Sequence, residues 1–130
     1  MKQYQRRPNI SFWSCNEKSN IRLSISLLSE LNYPRYLRVL VNPETKEIAF
    51  QSSNKKDIKA LKVLYMKHSA DTGAIICSKT TILRIYDICN WEMFHSYNCR
   101  DFSMIENKII IFDLKTAKDV TKNKESNEDA

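Results

Sequence analysis

Apolar and polar residues alternate at Ile10-Ser11-Phe12-Trp13 and again at Ile21-Arg22-Leu23. The polar run Asn16-Glu17-Lys18-Ser19-Asn20 between them reads as a turn, so the two stretches predict a β-hairpin. Leu27, Leu28 and Leu31 then share one helical face, with Ser24 or Ser26 offering the hydroxyl that caps the helix start and Asn32-Tyr33-Pro34 closing it. Strands follow at Tyr36–Val41 and Glu47–Gln51. The turn joining them, Asn42–Lys46, carries Pro43, whose fixed φ suits such a bend. The order is strand, strand, helix, strand, strand.

That order recurs. Ala60–Tyr65 and Ala74–Cys77 are apolar runs on either side of a loop holding His68, Asp71 and Gly73, and they predict a second hairpin. Ile58, Leu61, Leu64 and Tyr65 also stand at helical spacing, so 57–67 reads as a helix too. Ser78 or Thr80 caps a helix whose Ile82, Ile85, Tyr86 and Cys89 share one face, and Asn90-Trp91 closes it much as Asn32-Tyr33 closes the first. Strands at Ser96–Ile105 and Lys108–Leu114 meet across Glu106-Asn107, and Phe112 stands where Phe50 stood. The chain thus reads as α+β: two tandem ββαββ-like repeats, 9–53 and 54–114, with antiparallel sheets and two short helices. Each unit alone buries too little surface, so the two are expected to share one core. Residues 1–8 read as a flexible basic arm and 115–130, with no aromatic and Val120 as the only large aliphatic, as a disordered tail. A saddle-like TATA-binding architecture fits the same rhythm of helices and antiparallel strands.

Composition narrows the chemistry. The 130 residues, 42% apolar and 28% charged, suit one compact domain. A single glycine excludes the phosphate-cradling loops GxGxxG and GxxxxGK[ST], which need several. No apolar run reaches membrane-spanning length and the first residues lack a signal-peptide pattern. A soluble, cytoplasmic protein without a membrane partner and with four reduced thiols is expected. The net charge is +6. Half of that excess lies in the arm (Lys2, Arg6, Arg7), while 9–114 holds 14 Lys plus Arg against 11 Asp plus Glu and 115–130 is balanced. An arm of that kind can follow a phosphate backbone, and modest positive charge also serves solubility.

The stretch from Trp13 to Tyr33, WSCNEKSNIRLSISLLSELNY, with the Leu37–Phe50 hairpin after it, resembles the AbrB, SpoVT and MraZ family of swapped-hairpin proteins. In that family a hairpin leads through an apolar strand into a short helix and a second hairpin. The tandem arrangement over roughly 9–114 is similar to that of MraZ. The family's proline at the helix start is replaced by Ile25 or Ser26, and its glycine at the helix end by Asn32, a residue that tolerates the left-handed conformation. The resemblance implies double-stranded DNA binding through basic residues of the hairpin and helix-start surface. Lys18 and Arg22 match that surface in the first copy and Lys79 is the nearest counterpart in the second. Arg35 and Arg38, beyond the helix, carry over only as charge.

Lys18, Arg22, Arg35, Arg38 and Lys46, with Tyr33 and Tyr36 interleaved, thus make a basic face for phosphates, or an ordinary solvated strand edge. Cys77, Cys89, His95 and Cys99 are soft ligands, but their spacing lacks the tight knuckle of a structural zinc site, and no metal or other cofactor is expected. His68 and His95 have no carboxylate at a motif spacing; His95 and Cys99 would face one side of a strand. Trp13, Trp91, Phe12, Phe50, Phe94, Phe102 and Phe112 are expected in or near the core. The expected function is a small non-enzymatic DNA-binding or transcription-regulatory module. The alternative is a protein-protein interaction module, of the kind mobile elements carry, with no nucleic-acid role. An enzyme would need a deep polar pocket gathering His95 and a carboxylate.

Overall fold

Alternation of inward apolar with outward polar side chains builds most of the strands. In the computed structural model, which describes residues 7–15, 18–66, 72–106 and 108–121, β1 (Ile10–Ser14) buries Ile10, Phe12 and Ser14, and β2 (Ser19–Ser24) buries Ile21 and Leu23. At the turn end of this hairpin the buried Ser14 and Ser19 hydroxyls satisfy each other at 2.8 Å. Ser24 caps α1 (Ile25–Glu30), accepting from the Leu27 N–H, and Ser78 caps α2 (Lys79–Cys89) through the Thr81 N–H. Both helices end alike. Asn32 and Asn90 adopt left-handed φ of 63° and 59°. The next N–H, of Tyr33 or Trp91, returns to the Leu28 or Tyr86 carbonyl at 2.8 Å, closing the last turn as a glycine would.

The architecture is mixed α+β, with antiparallel sheets. One sheet has the order β11-β8-β1-β2-β7-β6 and the other β5-β3-β4-β10-β9. The remaining strands are β3 (Tyr36–Asn42), β4 (Glu47–Ser53), β5 (Leu61–Lys62), β6 (Leu64–Tyr65), β7 (Thr72–Ile76), β8 (Ser96–Cys99), β9 (Phe102–Ile105), β10 (Ile109–Asp113) and β11 (Lys118–Asp119). The inward faces of both sheets and the helices join one core, in which Phe50 and Phe112 meet edge to face at 6.1 Å. Tyr86, Trp91, Tyr97 and Phe12 form a ring cluster between α2 and the six-stranded sheet. α1 packs on β2 and β7, and α2 on β1 and β2.

Several expectations are corrected. Residues 57–66 are not a helix: they form turns and the short strands β5 and β6, and Ile58, which the helical reading would bury, is 94% exposed. β6 pairs with β7, as the second hairpin requires. The strand expected over Ser96–Ile105 is broken at Arg100-Asp101 and its halves join different sheets. The reason is phase: Tyr97 and Cys99 point inward, but so do Phe102 and Met104, and one regular strand cannot bury both sets. The tail expected from 115 begins too early, because Leu114–Thr116 form a 3-10 turn and β11 pairs with β8. Residues 122–130 lie outside the described part, as do 1–6 of the arm. Within the arm Pro8 is buried, and the Arg7 guanidinium sits over Phe102 at 5.7 Å.

The only glycine is a packing position. A Cβ on Gly73 would lie 2.6 Å from Leu28 Cδ1 and 3.1 Å from the Ile25 Cα, so α1 rests directly on β7 backbone. Gly73→Ala must displace α1, and an overpacking cost of about 1–3 kcal/mol is expected. Denaturant unfolding would register it as a lower midpoint, and an unchanged midpoint would refute this account of the contact.

Candidate nucleic-acid interface

The two sheets present outer faces of different chemistry, and Arg22 and Arg38 are divided between them. Across the middle of the six-stranded sheet the register aligns Lys118, Asn98, Ser11, Arg22, Ile75 and Leu64 in one row. The neighbouring row holds Ser96, Trp13 and Asn20. No carboxylate occupies any of these positions. Arg22 is held outward because its neighbours Ile21 and Leu23 are fully buried. Asn98 organises the row: its Nδ2 donates to Ser11 Oγ at 2.8 Å and Asn9 Oδ1 at 3.1 Å, and its Oδ1 accepts from Arg100 Nε at 3.2 Å. Arg22 and Arg100 thereby line one recess of about 250 Å³. A larger one, about 630 Å³, is bordered by Arg22, Ser11, Trp13, Phe94 and the Val120–Thr121 segment.

Of the five expected contact residues, Arg22 alone stands on the row. Lys18 is exposed at the end of the same hairpin, entering β2. Arg35 is exposed in the connection from α1 into the other sheet, and Lys79 is the exposed first residue of α2. Arg38 belongs to the opposite face and is committed there. Its Nε and Nη2 donate to the two Asp57 carboxylate oxygens at 2.9 and 2.8 Å, and Ser53 Oγ donates to the same carboxylate. Hydrogen bonds from Arg38 and Ser53 hold the Asp57 carboxyl far below the usual range. Periodicity singled out none of Arg100, Lys118, Asn98 or Trp13 as partners of Arg22. Strand alternation around Asn98 was the available signal, and sheet order, which that alternation does not contain, was the missing piece.

Phe94 and Trp13 also depart from the core role expected of them. Phe94 is 52% exposed and Trp13 only half-buried, and both face the larger recess. Opposite Trp13, the Asn20 Oδ1 is buried without a hydrogen-bond partner among the described residues.

His95, which has no carboxylate at a motif spacing in the sequence, meets two in the fold. Its Nδ1 lies 2.7 Å from Asp119 Oδ2 and its Nε2 3.4 Å from Glu92 Oε1. Among the described residues no hydroxyl or thiol is hydrogen-bonded to its ring. The Cys99 thiol is buried and directed to the Asp113 carbonyl, and burial pushes both the Cys89 and Cys99 thiols up, away from thiolate chemistry. His68 lies outside the described residues. Among the described residues no group of three His, Cys, Asp or Glu side chains gathers as metal ligands, and no helix is long and apolar enough to cross a membrane.

The His95–Asp119 contact fastens β11 beside the larger recess. Partial burial opposes ionisation of Asp119, but the Thr121 hydroxyl and N–H together with His95 outweigh it and hold the carboxyl at about 2. A carboxyl depressed on folding stabilises above its unfolded value, near 3.9. That contribution disappears as pH falls through 2. Protection of the Val120 amide, bonded to the Ser96 carbonyl at 2.8 Å, should therefore drop between about pH 4 and pH 2. In Asp119→Asn that step should be missing; a step of equal size in the variant would show that another group fastens the segment.

No protein-family model matches the chain, and no curated protein or solved structure matches it significantly.

Proposed function

We propose that the protein is a small, non-enzymatic DNA-binding module, of the kind that regulates transcription, and that it holds the phosphate backbone on the outer face of the six-stranded sheet. One observation carries this reading: a row of Lys118, Asn98, Ser11 and Arg22, with Arg100 tied to Asn98, on a face whose strand positions bear no carboxylate. Cations and neutral hydrogen-bond donors without competing acids suit a polyanion and bind it through counterion release. The likeness of Trp13–Tyr33 to the swapped-hairpin family agrees with it, with Arg22 the family-matched residue that lies on this face.

The same resemblance, and the organisation into tandem ββαββ units, draw support from the strand registers. In the centre of one sheet Ile48 faces Phe112 and Phe50 faces Ile110, flanking the pair Ala49 and Ile111. In the other, Ile21 faces Ile76 and Leu23 faces Ala74, flanking Arg22 and Ile75. Any antiparallel ladder pairs in this way, but the strand orders β1-β2-β7-β6 and β3-β4-β10-β9 are each also symmetric about the junction between the units, as a two-fold relation would make them.

Binding of a labelled duplex should weaken steeply between about 50 and 200 mM salt, and Arg22→Ala or Arg100→Ala should each lower the slope of log K against log salt by about one. Arg38→Ala should leave the slope unchanged. Anisotropy titrations measure all three. Salt-insensitive binding, or none, removes the reading.

A second reading, docking of another protein, is favoured by the outer face of the five-stranded sheet. Leu40 and Ile105 are 48% and 47% exposed there, beside Ala49, Ile109 and Ile111. An apolar strip on an otherwise polar surface suits a protein partner. If that role dominates, a partner should stay bound after nuclease treatment and be lost in Leu40→Lys, while Arg22→Ala keeps it; pull-down followed by sedimentation would decide.

A further inference from the structure

The larger recess holds two aromatic rings that phosphate contact does not require. Phe94 has a φ of 68°, a left-handed conformation that is a marked outlier for a bulky side chain, and the hydrogen bond from its N–H to the Ser14 carbonyl at 2.8 Å fixes it there. The result of this strain is an exposed phenyl ring, not a buried one. Trp13 lines the same recess on the outward side of β1, while its neighbour Phe12 joins the ring cluster inside. Neither Trp13 nor Phe94 takes part in that cluster. Residues held in strained backbone cluster at functional sites.

The surroundings name the ligand class. Arg22 borders the recess with a guanidinium suited to phosphate, and the Ser11 hydroxyl, which accepts from Asn98, keeps its own proton to donate. About 630 Å³ falls within the range of small-molecule sites and is roomy for a single nucleotide. Two aromatic rings beside a cation, with no carboxylate among the residues that line the recess, match a base joined to a phosphodiester. In a duplex the base faces are covered by stacking, so only an unpaired base can use these rings.

We propose that this recess takes one unpaired base of single-stranded DNA, stacked on Trp13 and Phe94, with the adjoining phosphate on Arg22. The proposal rests on the reading of this face as a DNA interface and adds a preference for single strands at one position.

The test compares an oligothymidylate of about ten nucleotides with a mixed-sequence duplex, by tryptophan fluorescence and competition at fixed salt. The oligothymidylate should bind more tightly than the duplex and quench the emission, and Trp13→Phe should abolish the quench while Trp91, partly buried in the ring cluster, still emits. Phe94→Gly, which relieves the left-handed backbone, should keep or raise the melting temperature yet weaken oligothymidylate binding by roughly tenfold or more. Salt-dependent duplex binding that falls in Arg22→Ala, with no oligothymidylate quench, would overturn the stacking site and leave the electrostatic reading standing. Binding of neither nucleic acid would overturn both.

Discussion

The antiparallel pairing of β2 with β7 is the contact on which the rest of the molecule depends. It joins a strand ending at Ser24 to one beginning at Thr72, and so makes a single sheet from both halves of the chain. α1 lies across these two strands, and Gly73 lets it approach the backbone of β7. With β1 on its other side, β2 becomes an interior strand. Its inward residues Ile21 and Leu23 are then sealed, and its one long cation, Arg22, has no direction left but outward, into the middle of a broad polar face. The location of the candidate site is thus a by-product of how the core closes.

The closure also explains why the sheets differ outside. β3, β4, β9 and β10 close the core from the other side, and their outer surface keeps Glu47, Asp113 and the Arg38–Asp57 pair alongside an apolar strip. Arg22 and Arg38 occupy the same local pattern, an arginine between two inward apolar residues, yet one faces a recess free of strand carboxylates and the other meets Asp57 across a turn. A charge that already has a well-placed partner gains little from a phosphate.

Much of the fold was legible in the chain. The first hairpin, both capping serines, both closing asparagines and the strands around Phe50 and Phe112 follow from alternation, helical spacing and hydroxyl placement, all of them local signals. What was missed depends on partners. β11 has no apolar pattern because backbone bonds to β8 and the His95–Asp119 contact hold it, and neither leaves a mark near Lys118. The passage from β8 to β9 did leave one, the change of phase between Cys99 and Phe102. Of the candidate site, Arg22 alone stands out in the sequence; Arg100, Lys118 and Asn98 join it only through sheet order, and no local signal distinguishes Phe94, with its left-handed backbone, from a core aromatic.

Three of the four outermost strands, β11, β6 and β5, have only two residues each. Such stubs end hydrogen-bonding ladders before a foreign strand can find a long template. β11 matters most among them, because β8 behind it offers a longer row of N–H and C=O groups next to the sheet's centre. Shortening the chain ahead of Lys118 would uncover that row, and the product would be a molecule inclined to add strands from its neighbours and grow into insoluble ribbons.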